Sequence, residues 1–114
     1  MVRPPMLTNE YRNAHHYKQA KAKKEVAEAV TWLVKQQHIQ ALGPSKVEVC
    51  WFVPDKRRRD NDSLAAFYKA ACDALVDCGV WPDDNYRWIT YSGLWIDDTQ
   101  PKNARLEIRI TPNV

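Results

Sequence analysis

Three aspartates have the type and spacing of ligands for a divalent cation. Asp60 and Asp62 are separated by one residue, and Asp84 lies in a Pro-Asp-Asp-Asn segment further along the chain. An ion such as Mg²⁺ prefers hard oxygen ligands, and a few carboxylates hold it while phosphate and water complete its shell. The ion stabilises developing charge and lowers the pKa of its bound water during phosphodiester hydrolysis. We predict that the three carboxylates hold such an ion, on condition that the fold brings Asp84 beside the other two.

A run of basic residues directly precedes the first two acids. Because cationic side chains contact phosphates without reading base sequence, this run predicts binding to a DNA backbone. A helix cap needs no such run, whereas a site that brings phosphate to a metal does. A second basic cluster lies near residue 20, and for it a nucleic-acid surface and a solvated charge run are equally good interpretations. The predicted DNA-binding residues are Lys56, Arg57, Arg58, Arg59, Lys18, Lys21 and Lys24.

Lys69 and Asp73 could extend this site. Lys69 lies seven residues after Asp62, and Asp73 lies four after Lys69, so on a helix the three share one stripe. A lysine above a metal site could hold the scissile phosphate or stabilise the charge of the transition state. The alternative is an ordinary surface ion pair, worth about 0.3 kcal/mol. The residues taken alone favour that alternative.

The acids have structural interpretations as well. Asp60 or Asp62 could be the N-cap of the following helix, and Pro-Asp-Asp-Asn could be only a turn. If the Asp-x-Asp segment is extended, both carboxylates point to the same side. The sequence leaves open whether Asp83 or Asp84 is the ligand. It also leaves open a non-catalytic DNA-binding module, whereas the arginine run disfavours a purely structural protein with a solvated charged loop.

The elements that must position these residues follow from hydrophobic periodicity. Apolar residues at helical spacing predict a helix over 17–42, ended by Gly43-Pro44, and a second over 62–78, ended by Gly79. Alternating or β-branched and aromatic patterns predict strands over 46–53, 86–96 and 104–110. The predicted fold class is therefore α+β, a small mixed sheet of about three strands with two main helices.

The length of 114 residues predicts a single domain over 1–114. Residues 1–14, with two prolines and little periodicity, are predicted to form an irregular N-terminal arm. Three strands and two helices make a thin domain, so we expect a homodimer that helps to cover it.

Composition and motif spacing indicate the cellular compartment and the kinds of partner and cofactor to expect. The formal net charge is +3, and 45% of the residues are hydrophobic, as in a chain that folds. Three cysteines with no CxxC pair predict reduced thiols in a cytoplasm. No apolar stretch is long enough for export or for crossing a membrane, so we expect neither a membrane partner nor, from the motifs, a small-molecule cofactor. His15 and His16 are adjacent rather than four apart, which favours phosphate or solvent contact over zinc binding.

The segment VPDKRRRDNDSLAAFYKAACDALVDCGVWPDD, residues 53–84, resembles the signature of the RusA-type crossover junction endodeoxyribonucleases. That signature has a strand ending in Pro-Asp, a basic run, Asp-x-Asp, and a helix containing Lys and Asp-Ala-Leu. A glycine, a hydrophobic pair and a final Asp-Asp follow. The resemblance extends over about residues 50–96, and the basic first helix is similar to the phage-borne branch of the family.

The resemblance implies a homodimer that binds four-way Holliday junctions by shape and makes paired nicks with Mg²⁺ or Mn²⁺. Such an enzyme serves DNA recombination and repair in the cytoplasm of a bacterial or phage-infected host cell. Carried onto this chain, the resemblance makes Asp60, Asp62 and Asp84 the metal carboxylates and Lys69 the catalytic lysine. A nuclease that cuts flaps or forks with the same chemistry stays an alternative.

Two features depart from the family pattern. Ser63 follows the second aspartate where the family usually has asparagine. Ser63 could still hydrogen-bond a ligand carboxylate, and with Asp73 and Asp83 it forms the predicted set of residues that support the ligands. The N-terminal strand that often opens these proteins is hard to see in this sequence.

Overall fold

Strand β1, Ser45–Phe52, is the centre of a three-stranded sheet. The computed structural model describes residues 1–113. It places strand β2, Ile89–Asp97, parallel to β1 on one side and strand β3, Arg105–Pro112, antiparallel on the other. The predicted α+β class and mixed sheet are therefore confirmed. Strand β2 begins later than predicted because the backbone over 85–88 forms a turn, in which the N–H groups of Trp88 and Ile89 both bond to the carbonyl of Asn85.

The helices pack on one face of the sheet. Helix α1 spans Thr8–Asn13, α2 spans His16–Gln36 and α3 spans Ala65–Asp77. Short 3₁₀ turns cover Asn61–Leu64 and Pro101–Asn103. Alternate residues of β1 join the buried side chains of α2 and α3 in one core, which contains Val26, Val30, Val47, Val49, Trp51, Leu64, Phe67 and Leu75. Two main helices are confirmed.

Long side chains cover the opposite face of the sheet. Phe52 is buried there, and the guanidinium of Arg105 lies 3.8 Å from the centre of its ring. Arg109 lies 5.3 Å from the ring centre of Trp95. Glu107 holds both arginines, at 2.7 Å from Arg105 and 3.1 Å from Arg109. These cation–π and ionic contacts supply part of the cover that a thin domain needs.

Helix α2 ends at Gln36, so the predicted end at residue 42 is wrong. His38 adopts the left-handed conformation, with φ of 54°. The N–H of Ile39 bonds to the carbonyl of Val34 at 3.0 Å, and that of His38 bonds to Lys35 at 3.3 Å. This bond pair is a Schellman motif, which normally carries glycine at the left-handed position. Histidine takes that role here, and the Gly43-Pro44 signal lies in the following loop.

The predicted irregular arm contains a short helix, α1, and therefore needs correction. Arg3 pairs with both carboxylate oxygens of Glu10, at 2.8 and 3.1 Å. Glu10 also accepts the N–H of Leu7 at 3.3 Å, and Met6 is buried against the core. A helix of six residues is too short for apolar periodicity to reveal it.

Helix α3 ends at Asp77, and Gly79, whose φ is +84°, terminates it as predicted. The N–H groups of Val80 and Gly79 bond to the carbonyls of Leu75 and Val76, at 3.0 and 2.9 Å. Helix α3 begins later than residue 62, where it was predicted to begin. Asn61–Leu64 forms a 3₁₀ turn, and the α-helix starts at Ala65.

The three cysteines carry free thiols. Separately, no helix within residues 1–113 has the combination of length and apolar character needed to cross a bilayer.

We predict that Gly79→Ala lowers the free energy of unfolding by about 1 kcal/mol, because an L-residue is strained in the left-handed conformation. Gly43→Ala is the matched control, since a methyl group at either glycine meets no atom within 4 Å but only Gly79 has positive φ. Urea unfolding of the two variants checks this. Equal stabilities would show that the left-handed conformation at residue 79 is not maintained in solution.

Candidate metal and nucleic-acid site

The Asp60-Asn61-Asp62 segment lies against the edge of the sheet. Asp60 has an extended backbone, with φ of −107° and ψ of 139°, and the 3₁₀ turn begins at the next residue. The side-chain Oδ1 of Asn61 accepts the N–H of Ile96 in β2 at 3.0 Å. The condition of an extended Asp-x-Asp segment therefore holds only at Asp60, and the alternation rule of a strand does not describe the two carboxylates.

Thr8, from helix α1, caps the beginning of α3. Its Oγ1 lies 3.2 Å from the carbonyl oxygens of both Asp62 and Ser63, to which it can donate, and it accepts the N–H of Ala66 at 3.3 Å. Within residues 1–113, neither Asp60 nor Asp62 accepts a side-chain capping bond. Asp60 occupies the N-cap position of the 3₁₀ turn, but its carboxylate makes no capping bond, and a threonine distant in sequence bonds to the N–H of Ala66 in α3 instead.

Lys69 joins two carboxylates on the side of α3. Its Nζ lies 2.6 Å from Asp84 Oδ2 and 3.0 Å from Asp73 Oδ1. The hydrogen bonds that Lys69 donates, first to Asp84 and then to Asp73, raise the pKa of Lys69 well above its ordinary value. The same bond from Lys69 lowers the pKa of Asp84. Lys69 is therefore protonated near neutral pH, and in that form it can hold an anionic oxygen and is not a general base.

The neighbouring aspartates 83 and 84 differ in their contacts. Asp83 shapes the turn, because its side chain accepts the N–H of Asp84 at 2.7 Å and the Nδ2 of Asn85 at 3.1 Å. The side chain of Asp84 is only 20% exposed and faces Lys69. These contacts favour Asp84 over Asp83 as the residue that takes part in a charged site.

The three predicted metal carboxylates do not form a ready-made cluster. Across residues 1–113, no group of three His, Cys, Asp or Glu side chains is arranged to hold a metal ion. Asp84 is paired with Lys69, while Asp60 is paired with Arg58 at 3.2 Å. The metal assignment of Asp60, Asp62 and Asp84 stays a prediction.

The donor chemistry around this segment nevertheless fits a hard divalent cation. Asp60 and Asp62 supply carboxylate oxygens that the fold does not use as caps. The hydroxyl oxygen of Ser63 is buried and has no hydrogen-bond partner among the described atoms. A buried hydroxyl normally has a partner, so Ser63 is available to support a ligand carboxylate, as its predicted role requires.

The basic residues before the acids divide into two groups. The side chains of Lys56, Arg57 and Arg58 are more than four-fifths exposed, as a phosphate-binding surface requires. The side chain of Arg59 is only 15% exposed, pairs with Asp55 at 2.9 Å and lies 5.1 Å from the ring centre of Trp51. Arg59 thus braces the loop. The N–H of Arg57 and the Arg59 guanidinium hold the pKa of Asp55 below its ordinary value.

The second basic cluster lies on the exposed side of α2. Lys18, Lys21 and Lys24 all point to solvent, and Lys24 approaches Glu28 at 3.9 Å. These residues form a second cationic surface, on α2. The preceding helix, α1, contacts the turn that carries Asp62.

Sequence reasoning missed Thr8, Asn61 and the Asp55–Arg59 brace. The spacing of Asp55 and Arg59 is a helical i,i+4 pattern in a segment predicted as a loop, so it carried no signal. Thr8 lies 54 residues before Asp62, and only the tertiary fold brings the two together. Asn61 had one signal, since an amide between two carboxylates can bond to backbone groups on a neighbouring element.

Comparison with known proteins supports the predicted resemblance. The chain is 41% identical over 68 residues to the crossover junction endodeoxyribonuclease RusA of Escherichia coli strain K12 and to that of Shigella sonnei strain Ss046. It is 40% identical over 68 residues to the crossover junction endodeoxyribonuclease of Enterobacteria phage 82. Each match covers 60% of this chain, and the chain spans about half the length, 52%, of these curated relatives. No protein-family model matches the chain.

We predict that Asp84→Asn lowers the free energy of unfolding by about 1 kcal/mol near pH 7, because the Lys69 pair is lost. The pKa of Asp84 is lowered in the folded chain. The difference from the unsubstituted chain should therefore be complete above the ordinary aspartate pKa, about 3.9, and should vanish as the pH falls through the lower folded value.

Urea unfolding between pH 7 and pH 2.5 checks this prediction. Asp77→Asn is the control, since it removes an exposed carboxylate from α3, the helix that carries Lys69. A difference between the Asp84 variant and the unsubstituted chain that does not change with pH would contradict the assignment of the ion pair.

Proposed function

We propose that this chain is a divalent-metal-dependent endodeoxyribonuclease that resolves four-way Holliday junctions by paired nicks in DNA recombination and repair. The observation that carries the proposal is that Thr8 caps α3, which leaves the Asp60 and Asp62 carboxylates without capping bonds beside two exposed arginines. The similarity to proteins named crossover junction endodeoxyribonuclease supports the choice of branched DNA as substrate.

The proposed division of labour follows the charges. Lys56, Arg57 and Arg58 bind the phosphate backbone near the acids, and the lysines of α2 extend that contact along a DNA arm. Asp60, Asp62 and Asp84 would hold Mg²⁺ or Mn²⁺. When bound, such an ion supplies charge stabilisation and a more acidic water.

Lys69 has a defined part in this proposal. Because its hydrogen bonds to Asp84 and Asp73 raise its pKa, Lys69 is protonated near neutral pH. It therefore stabilises negative charge on phosphate oxygens instead of accepting a proton. Its neighbour Asp73 is a second carboxylate that accepts from the ammonium group, at 3.0 Å. No small-molecule cofactor is needed, and we place the protein in the cytoplasm of a bacterial or phage-infected cell.

A homodimer is part of the same proposal, because two sites related by a twofold axis suit a symmetric junction. The surface that suits a second copy is an apolar cavity of about 290 Å³ between α2 and β3, lined among others by Val30, Leu33 and Ile108. Leu33 is 40% exposed, and its neighbour Trp32 is 61% exposed. A second protomer would remove these side chains from water.

We expect the purified protein to nick a synthetic four-way junction in Mg²⁺, symmetrically on two strands, and to leave a linear duplex intact. Gel electrophoresis of junction, flap and duplex, each with Mg²⁺ and with EDTA, tests this. Equal cutting of flaps and forks would make the protein a general branched-DNA nuclease. Metal-independent binding without any nicks would instead indicate a non-catalytic DNA-binding module.

We predict that Asp62→Asn abolishes nicking, by at least about a hundredfold in rate, while junction binding is kept or strengthened. The reason is that a carboxylate beside phosphate is replaced by a neutral amide of the same shape. Single-turnover cleavage and gel-shift titration measure the two effects. Asp77→Asn, on the far end of α3, should change neither, and normal nicking by the Asp62 variant would exclude its role as a ligand.

We also predict that Leu33→Glu raises the dimer dissociation constant at least about tenfold, because a charge would be buried in an apolar interface. Sedimentation velocity over a concentration series measures this. Tyr86→Glu is the control, since Tyr86 is 77% exposed and lies outside the cavity. A dimer that is unaffected by Leu33→Glu would place the interface elsewhere.

A further inference from the structure

The side chain of Asn61 connects the acidic segment to an edge strand. Because the strand order is β2-β1-β3, β2 pairs with a strand on one side only. The N–H of Ile96 points away from β1, and Asn61 Oδ1 accepts it at 3.0 Å. An edge-strand donor that would otherwise face water is thus taken by the residue between Asp60 and Asp62.

We propose that Asn61 is a positioning residue that sets the placement of the Asp60 and Asp62 carboxylates relative to the sheet. This inference rests on the proposed function of the two acids as metal ligands. Asn61 touches neither DNA nor the ion in this role. It acts through the backbone that it shares with both neighbours.

Two side chains hold the acidic segment from opposite sides. On the sheet side, the hydrogen bond from Ile96 to Asn61 fixes the segment. On the side of α1, Thr8 bonds to the carbonyl oxygens of Asp62 and Ser63. The Asp60 carboxylate adds an exposed pair with Arg58, and Leu64, at the end of the same turn, is buried in the core. Among the hydrogen bonds of residues 1–113, the one to Asn61 ties the segment to the sheet, and those of Thr8 tie it to α1.

The electrostatics of the segment make this tether necessary. Two neighbouring carboxylates repel each other, so without an ion they favour a wider separation. A backbone held at one side only can follow that repulsion, whereas a backbone bonded to a sheet cannot. With Asn61 in place the backbone that carries the two carboxylates is held, and an arriving ion does less work to bring them together.

The same contact should matter little for folding. Asn61 is exposed and lies on the surface of the edge strand. Water can replace its carbonyl oxygen at the Ile96 N–H, so loss of the side chain leaves no buried donor without a partner. A positioning role and a structural role therefore predict different results for the same substitution.

The test compares Asn61→Ala with Asn61→Asp, which keeps an acceptor oxygen at the same reach. Asn103→Ala is the matched control, because Asn103 is also an exposed asparagine in a 3₁₀ turn. Three quantities are measured for each variant. These are Mn²⁺ affinity by calorimetry without DNA, hydrogen exchange of the Ile96 amide by NMR, and kcat and KM on a four-way junction.

For Asn61→Ala we expect Mn²⁺ affinity and kcat to fall at least about tenfold, with KM for the junction and the melting temperature little changed. Exchange of the Ile96 amide should become faster. Asn61→Asp should restore slow exchange and recover Mn²⁺ affinity, and Asn103→Ala should resemble the unsubstituted chain in all three measurements.

Unchanged Mn²⁺ affinity in Asn61→Ala would overturn the proposal, and so would a loss of affinity that only accompanies unfolding. The calorimetric and NMR measurements keep it separate from the proposed function. If Mn²⁺ affinity depends on Asn61 but the protein cuts no DNA, only the proposed nuclease function is contradicted. A chain that binds no Mn²⁺ at all would overturn both.

Discussion

The parallel pairing of β1 with β2 governs where the charged residues of this protein can lie. Parallel neighbours need a connection that crosses back along the sheet, and helix α3 makes that crossing between Phe52 and Ile89. The acidic segment therefore precedes α3, near the carboxyl end of the strands, while the loop that carries Asp84 follows it. Lys69 and Asp73 lie on the helix between the two. The Lys69–Asp84 contact is the electrostatic link that spans this separation.

Helix α3 is capped by a residue from another helix, so the acidic residues at its beginning are not needed as caps. In many helices an aspartate at the start satisfies the first N–H groups and is thereby committed. Here Thr8 supplies that bond to Ala66 from another helix. The negative charges of Asp60 and Asp62 are therefore not used to cap the helix. A carboxylate that makes no capping bond in the folded chain is the kind of group that a ligand can use.

The arginines of the basic loop also differ in role. Arg59 is drawn in by Asp55 and by the ring of Trp51, so its charge orders the loop. Arg57 and Arg58 stay in solvent, where they keep both hydration and reach. Three adjacent arginines thus have two roles: one orders the loop, and two form an exposed cationic surface. The difference depends on which arginine faces the buried indole of Trp51, and the sequence of three arginines does not indicate which one that is.

The sequence by itself determined the periodic elements, the α+β class and the resemblance carried by residues 53–84, because apolar spacing, Gly79 and clustered charges are local signals. Only the tertiary structure decided that His38 ends α2 and that residues 8–13 are helical. It also decided that Thr8 caps α3 and that Asn61 bonds to Ile96. These outcomes depend on contacts between residues 35 to 58 positions apart, or on single backbone conformations. A linear pattern records which side chains are available, whereas the fold decides which of them meet.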